Sequence, residues 1–500
     1  MIPYRHLLLI IVAALLVRGS LLMTSHHSLE ADPDAYRLIG RVLREHHRYA
    51  VPSWADDRES TTQQGKHVDA VDEDASRQLV STAYRPPLYP ILLAALTPGG
   101  RASPLAVALL HLVFGVMTSV LVWWAAYQWL GGALLRAYAA AIFVIMDPLL
   151  LKQSTQVMTE TVAAGFAITI IYAASRALQS SSWRWAMGAG LAIGLASLCR
   201  PTFLPLVIAP GIVAFMMMFP RGRATSDHGA RENVLARPTR QSWRIALTSI
   251  LVASFVVAPW VVRNRLVMGR WIASTTHGGY TLLLGNNDSF YRYLCERRPG
   301  EVWQLDHPAQ LLDEACVKLK VAPHMIPSSP TPDLSASVAP GVAARSDEDV
   351  ELWRDDMAYR AARQTIAEQP QWFARACIDR VVQFWRVLPH AQSAQESSRA
   401  RLVRWAIGGW YCVVLGLAVA GCLTLLRAAR HAVAAERRGE VAAGTVWNWE
   451  PWLWIAVVLI VFQAAHLIYW SNMRMRAPVM PAVALLAAAA GHRFHSREKI

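Results

Sequence analysis

The stretch whose reading decides the fold is 104–128, PLAVALLHLVFGVMTSVLVWWAAYQ. It holds no Asp, Glu, Lys or Arg, and it exceeds the about 20 apolar residues that a helix needs to cross a bilayer. Working outward, the same kind of run recurs at 6–23, 133–150, 157–178, 184–200, 201–219, 245–262, 401–426, 451–470 and 477–491. The expectation is an all-α polytopic membrane protein of about ten transmembrane helices. The first run is read as a retained helix rather than a signal peptide. Its apolar part, Leu7–Val17, is short, and no small-x-small cleavage site follows Arg18. The run Pro87–Leu96 is too short to span and predicts a membrane-surface or re-entrant helix.

Composition supports this reading. A 500-residue soluble chain would make about three domains. Here 54% of residues are hydrophobic and only 17% charged, against about a quarter in soluble proteins. That excludes disordered and collagen-like chains and disfavours an ordinary soluble enzyme. Twenty Trp and fourteen Tyr suit two interfacial belts. The net charge, 49 − 35 = +14, in a soluble protein would point to nucleic acid. Much of the excess lies between apolar runs, where it orients the chain in the bilayer, so no nucleic-acid partner is expected.

Lys and Arg in the short loops set the topology. With the N-terminus inside, segment 220–244 (Arg221, Arg223, Arg231, Arg237, Arg240, Arg244), segment 427–450 (Arg427, Arg430, Arg437, Arg438) and the tail (Arg493, Arg497, Lys499) are all cytoplasmic. Two long segments, 24–86 and 263–400, then lie outside and carry juxtamembrane helices. Three units follow. Residues 1–262 are an N-terminal transmembrane catalytic module that includes loop 24–86. Residues 263–400 are an extracytoplasmic loop with a linker and amphipathic helices. Residues 401–500 are the C-terminal transmembrane helices and a cytoplasmic tail. Asp56–Asp74 is polar, and 322–349 is Pro/Ser/Ala-rich and reads as a linker. Segment 350–388 mixes Trp353, Met357, Trp372, Phe373 and Trp385 with Arg360, Arg363, Arg375, Arg380 and Arg386, a composition for a membrane interface. Pro370 should divide it into two helices.

Candidate chemistry gathers on the outer side. Asp32 and Asp34 lie just beyond the first span, where a carboxylate can act as general base. Asp34 is equally placed to cap a helix starting at Ala35. Glu160 lies at the outer start of a span, where an acid is either functional or a partner of the helix dipole. Arg85, Arg200, Arg263, Arg474 and Arg476 sit on the side that the positive-inside rule disfavours. They are read either as phosphate binders or as snorkelling side chains. Segment 277–287, HGGYTLLLGNN, has turn chemistry at both ends and could line a site with backbone amides. No Walker A, HExxH, GxSxG or GxGxxG is present. The pairs His26-His27 and His46-His47 do not face one way on a helix, and no metal site is expected from them. Six Cys form no CxxC pair, and Cys295 and Cys316 are a candidate bridge.

Several segments in order resemble the GT-C superfamily of integral-membrane glycosyltransferases. They are Asp32-Pro-Asp-Ala-Tyr36, Tyr84-Arg-Pro-Pro-Leu-Tyr-Pro90, Thr159-Glu160, Gly194-Leu-Ala-Ser-Leu-Cys-Arg-Pro-Thr202, Pro259-Trp-Val-Val-Arg-Asn264 and Arg474-Met-Arg-Ala-Pro-Val-Met-Pro481. The set is similar to the bacterial branch akin to dolichyl-phosphate-mannose–protein mannosyltransferases and lipid A aminoarabinose transferase. The resemblance implies an inverting transferase in the bacterial plasma membrane, with both termini cytoplasmic. It would move a sugar from a polyprenyl-phosphate carrier to an extracytoplasmic glycan, lipid or protein. It implies Asp32, with Asp34 as alternative, and Glu160 as catalytic acids. Tyr36, Arg85, Arg200, Arg263, Arg474 and Arg476 would be substrate or phosphate contacts. No cofactor is demanded, and a divalent metal is left open. The competing classes are a transporter or lipid-linked-sugar flippase and a non-catalytic assembly protein. A transporter often shows inverted repeats, and the two outer loops share neither length nor composition.

Overall fold

The computed structural model describes residues 4–52, 79–96, 103–218, 239–297, 303, 308–321, 347–391, 396–437 and 448–492. The polar stretch Asp56–Asp74, most of the linker 322–349, Arg221, Arg223, Arg231, Arg237, Arg438 and the basic tail lie outside the described residues.

Each of the ten apolar runs is helical. Six helices have the length and composition to cross a membrane: α1 (Tyr4–Thr24), α4 (Pro104–Trp129), α7 (Glu160–Ser180), α10 (Thr239–Met268), α16 (Ser398–Arg437) and α17 (Glu450–Ile468). The pair α5 (Leu134–Ile145) and α6 (Pro148–Ser154) is apolar enough for a seventh crossing but bent by 47°, the geometry of a broken span or a re-entrant loop. The bend follows from Asp147-Pro148. Asp147 caps α6 by accepting from the Leu150 amide at 2.9 Å, and Pro148 takes a first-turn position where no N–H is needed. The remaining runs are α8 (Trp183–Cys199), a 3-10 helix Pro201–Val207 with α9 (Ala209–Met216), and a 3-10 helix Met473–Val479 with α18 (Met480–Ala488). Prolines Pro205 and Pro478 inside the 3-10 turns deny α-helical bonds and keep these segments short.

Helix α7 is the centre of the bundle. Its apolar window is 78% buried, against 22–44% in the other five, which expose Leu8, Leu16, Leu105, Phe255 and Val419 on their outer faces. Close approach of α8 and α10 depends on Gly190 and Gly194. A Cβ on Gly190 would sit 2.5 Å from the Ser249 carbonyl, and one on Gly194 would sit 2.6 Å from Val256. That is the small-residue spacing by which membrane helices pack.

At one end of the bundle the long segments fold together. Loop 24–86 carries α2 (Tyr36–His46) and a ribbon of β1 (Ala50–Pro52) and β2 (Leu79–Ser81) with Val51 opposite Val80, and it leads into the short α3 (Leu88–Ala95). Segment 263–400 carries α11 (Gly278–Gly285), α12 (Asp288–Glu296), α13 (Pro308–Lys318), α14 (Asp347–Glu368) and α15 (Pro370–Phe384), the last two parted at Pro370 as anticipated. The Thr276 amide donates to the Ala83 carbonyl at 3.0 Å and ties the two segments. Glu160 begins α7 at this end. Gln179, near the other end of α7, donates to Asn448 at 2.6 Å, and Arg136 donates to the carbonyls of Ala488 and Ala490 that end α18.

Candidate active site

The site is built on the start of α7. Glu160 is 1% exposed, and a carboxylate in the first turn is favoured by the helix dipole. Two guanidiniums converge on one of its oxygens: Arg200 Nη1 at 3.0 Å and Arg474 Nε at 3.2 Å from Oε1. Arg200 reaches inward because α8 stops at Cys199 and the chain runs extended (φ −150°) before Pro201. Arg474 sits on the 3-10 turn that the Asn472 side chain caps, accepting from the Arg474 amide at 3.0 Å. Two of the other contacts of these arginines are to sulfur, a weak acceptor. Arg200 Nη2 meets the Met475 sulfur at 2.9 Å, and Arg474 Nη1 meets the Met158 sulfur at 2.8 Å. Arg200 Nη1 also donates to the Thr159 hydroxyl at 3.3 Å, while Arg200 Nε is buried with no hydrogen-bond partner among the described residues. Two positive groups share one negative group, so the cluster carries a local excess of +1.

A second cluster stands on loop 24–86. Asp34 and Arg85 form an ion pair at 2.6 Å, and the Arg85 guanidinium lies 4.3 Å from the Tyr84 ring centre and 5.6 Å from that of Tyr36. The cap of α2 falls to Asp32, not Asp34. The position before the helix is Ala35, held at φ 58°, and Asp32 Oδ2 accepts from the amides of Arg37 at 2.8 Å and Leu38 at 3.0 Å. Two residues further back, Asp32 reaches over the turn that Ala35 makes; Asp34 is turned away to Arg85. Asp32 Oδ1 is buried and accepts from no described residue. Burial raises the Asp32 carboxyl above its ordinary value, opposed by the N–H groups of Leu38, Arg37 and Tyr36.

Tyr36 stands between the clusters. Its ring meets Tyr89 edge-on at 5.1 Å. Burial holds its hydroxyl proton more tightly than usual; Arg85 and Arg200 oppose this, and Asp34 and Glu160 reinforce it. Charges from both clusters therefore reach this one side chain.

Other anticipated residues are placed elsewhere. Arg263 donates to the carbonyls of Thr82 at 2.7 Å and Tyr49 at 2.8 Å, and so braces the β-ribbon. Arg476 is fully buried and donates to the carbonyls of Phe384 and Arg386, with Tyr411 at 4.1 Å under its guanidinium. Several amides of 277–287 have partners within the fold. Gly279 N–H goes to Asp355 at 2.6 Å, and Asn286 and Asn287 bond the carbonyls of Leu282, Ile468 and Leu283. Cys295 and Cys316 are free thiols, one exposed on α12 and the other buried on α13. Among the described residues no three His, Cys, Asp or Glu side chains gather as metal ligands.

Two carboxylates escaped the sequence reading. Asp147 had a signal, since an acid before Pro inside an apolar run is both a cap and a membrane-depth charge. Glu351 had none: it is one acid in the acid-rich start of α14, and only the fold brings it to Thr82 and Thr276.

A family described as dolichyl-phosphate-mannose-protein mannosyltransferase matches residues 84–230, a stretch that contains Arg85, Glu160 and Arg200. No curated protein matches the chain. Among solved structures, ArnT from Cupriavidus metallidurans bound to undecaprenyl phosphate is 13% identical, with TM-score 0.36, covering 97% of this chain and 77% of that one. The archaeal oligosaccharyltransferase AglB from Archaeoglobus fulgidus, in complex with an inhibitory peptide and a dolichol-phosphate, is 13% identical, with TM-score 0.45. The match covers 97% of this chain and 50% of AglB, so the chain spans about half of that protein's length. The family match, over 84–230, falls in the part of the chain that holds several of the motifs resembling the GT-C superfamily.

Proposed function

We propose that the protein is an inverting glycosyltransferase that moves a sugar from a polyprenyl-phosphate carrier to an acceptor hydroxyl on the extracytoplasmic side of a bacterial plasma membrane. The observation that carries this reading is the pair of arginines sharing Glu160, with thioethers as their other neighbours. A lipid phosphate entering from the bilayer would meet donors that no strong acceptor already holds. Arg200 and Arg474 would bind it, and Glu160 would keep both guanidiniums aligned and lower the cost of burying them. Arg263 and Arg476 have backbone carbonyls as partners and leave the phosphate set. The side is read from the sequence, in which the arginine-rich short segments 220–244 and 427–450 are expected on the cytoplasmic face.

In the reaction the acceptor oxygen attacks C1 of the sugar as the C1–O bond to the phosphate breaks. The configuration inverts in one displacement. The acceptor proton goes to Asp32 Oδ1, whose second oxygen is anchored by the α2 amides. The phosphodiester monoanion becomes a phosphate monoester with an added negative charge, and Arg200 and Arg474 stabilise that charge as it develops. Arg85, paired with Asp34, and Tyr36 would orient the sugar and its phosphate between the clusters. The test is transfer by the purified protein from a panel of polyprenyl-phosphate sugars, with nucleotide sugars as controls. Transfer from nucleotide sugars alone, or from none of the lipid donors, sinks the reading.

A further inference from the structure

Helix α14 enters from the far side of segment 263–400, yet one of its faces grips the strand that leads to Arg85. Glu351 is 7% exposed and takes three donors. Its Oε1 accepts from the Ala83 amide at 3.0 Å and from the Thr276 hydroxyl, and its Oε2 accepts from the Thr82 hydroxyl at 2.7 Å. Thr82 is wholly buried, and its oxygen in turn accepts from the Tyr84 amide at 2.9 Å. A chain of contacts thus runs from Glu351 through Thr82 and Tyr84 to Arg85, and from Arg85 to Asp34 at 2.6 Å. One turn along the same face of α14, Asp355 accepts from the Gly279 amide at 2.6 Å. Two carboxylates on one helix face therefore hold both long segments in register.

Resting on the function proposed above, we propose that Glu351 is a positioning residue for the transfer reaction. It never touches substrate; it sets the backbone of 82–84 and through it the placement of the Arg85–Asp34 pair beside Tyr36. The reason a carboxylate is used is the number of donors: three converge on it, and one group with two oxygens satisfies all of them.

The test compares Glu351→Ala, Glu351→Gln and Thr276→Val, each as transfer rate per folded molecule with the polyprenyl-phosphate sugar that the wild-type protein uses. Misplacing a reacting group by about 1 Å costs up to about 100-fold. Glu351→Ala is expected to lose about tenfold or more in kcat with little change in KM for the lipid donor, since Arg200 and Arg474 are untouched. Glu351→Gln keeps one acceptor oxygen for the Ala83 and Thr276 donors but puts an NH2 group against the Thr82 hydroxyl, so its rate should fall between Glu351→Ala and the wild type. A wild-type kcat in Glu351→Ala, a Gln variant as slow as the Ala variant, or a loss confined to KM overturns the proposal. If Glu351→Ala does not insert, Thr276→Val decides: a reduced kcat supports the proposal, and an unchanged one overturns it. Hydrogen exchange over 79–88 separates this from failure of the functional reading. If wild-type protein uses no lipid donor, that reading falls, while unchanged protection of 79–88 in Glu351→Ala removes the positioning role itself.

Discussion

Glu160 and Asp147 are both buried carboxylates beside the start of a helix, and each lies among arginines. Around Glu160, Arg200 and Arg474 face the carboxylate itself, and their other neighbours include two methionine sulfurs. Around Asp147 every strong partner belongs to the scaffold. Its Oδ1 caps α6 and accepts from Tyr411 at 3.1 Å; Arg18 donates to the Val144 carbonyl at 3.0 Å; Arg476 donates to the carbonyls of Phe384 and Arg386. An arginine bonded to carbonyls closes a break in the helices. Arg200 and Arg474 share a carboxylate and rest on sulfur, whereas Arg476 bonds carbonyls, although its Nε and Nη2 have no hydrogen-bond partner among the described residues. Arg474 and Arg476 fall on opposite sides of this division although they are two residues apart. On a 3-10 turn of three residues, such neighbours point in different directions.

The largest expected effect tests the chemistry of the site half of this comparison. Asp32→Asn should lower transfer per folded molecule by about 10²–10⁴-fold, the usual worth of a general base. The protein should still fold, because Asn can accept the α2 amide bonds. In the wild type the rate should fall as pH drops through the Asp32 value, which burial raises above 3.8. A dead Asp34→Asn beside an active Asp32→Asn moves the base to Asp34.

Next in size is the scaffold cluster. Asp147→Ala removes the α6 cap and the acceptor of the buried Tyr411 hydroxyl, a loss of about 1–3 kcal/mol. Thermal unfolding should report it, while the surviving folded molecules transfer sugar at the usual rate. A stable but inactive Asp147→Ala protein would erase the distinction between the clusters. Arg200→Ala and Arg474→Ala should show the reverse pattern, with folded protein and about 1.5–3 kcal/mol less stabilisation of the transition state, one to two powers of ten in turnover.

The smallest effect sharpens the picture of the loop frame. Burial first, then Asp356 and Glu351, raise Asp355 to about 7 from 3.8, against the opposing pull of the Gly279 amide and Arg270. A carboxyl raised on folding favours the protonated folded state. Its contribution to stability is therefore full below about pH 4 and is lost as pH rises to about 7. Asp355→Asn should flatten the stability profile across that window, and an unchanged slope in thermal unfolding would assign it to another group.

Much of the architecture was legible from local pattern. Apolar runs, the proline at 370 and the shortness of 87–96 depend only on neighbouring residues; each run became helical and Pro370 divides two helices, but six helices, or seven counting the bent pair as one span, rather than about ten have the length and composition of a crossing among the described residues. Glu160, Arg200, Arg474, Asp34 and Arg85 could be marked from the sequence as charges beside apolar runs, but their pairing could not. Nor could the division of labour among them. Asp34 was a sound cap by position, yet the left-handed turn at Ala35 hands the cap to Asp32. Arg263 and Arg476 read like Arg200, because the sequence does not show which carbonyls a guanidinium will meet.

The sequence by itself determined that this chain is a helical membrane protein, and it marked the charges that have no place in lipid. Those properties follow from hydropathy and spacing, which act within a helix. Only the tertiary structure decided which arginines face a carboxylate and which face carbonyls, and that α14 brings Glu351 to Thr82. Hydrogen bonds between segments 268 residues apart, such as Ala83 to Glu351, are set by how helices end and cross. No local pattern encodes them.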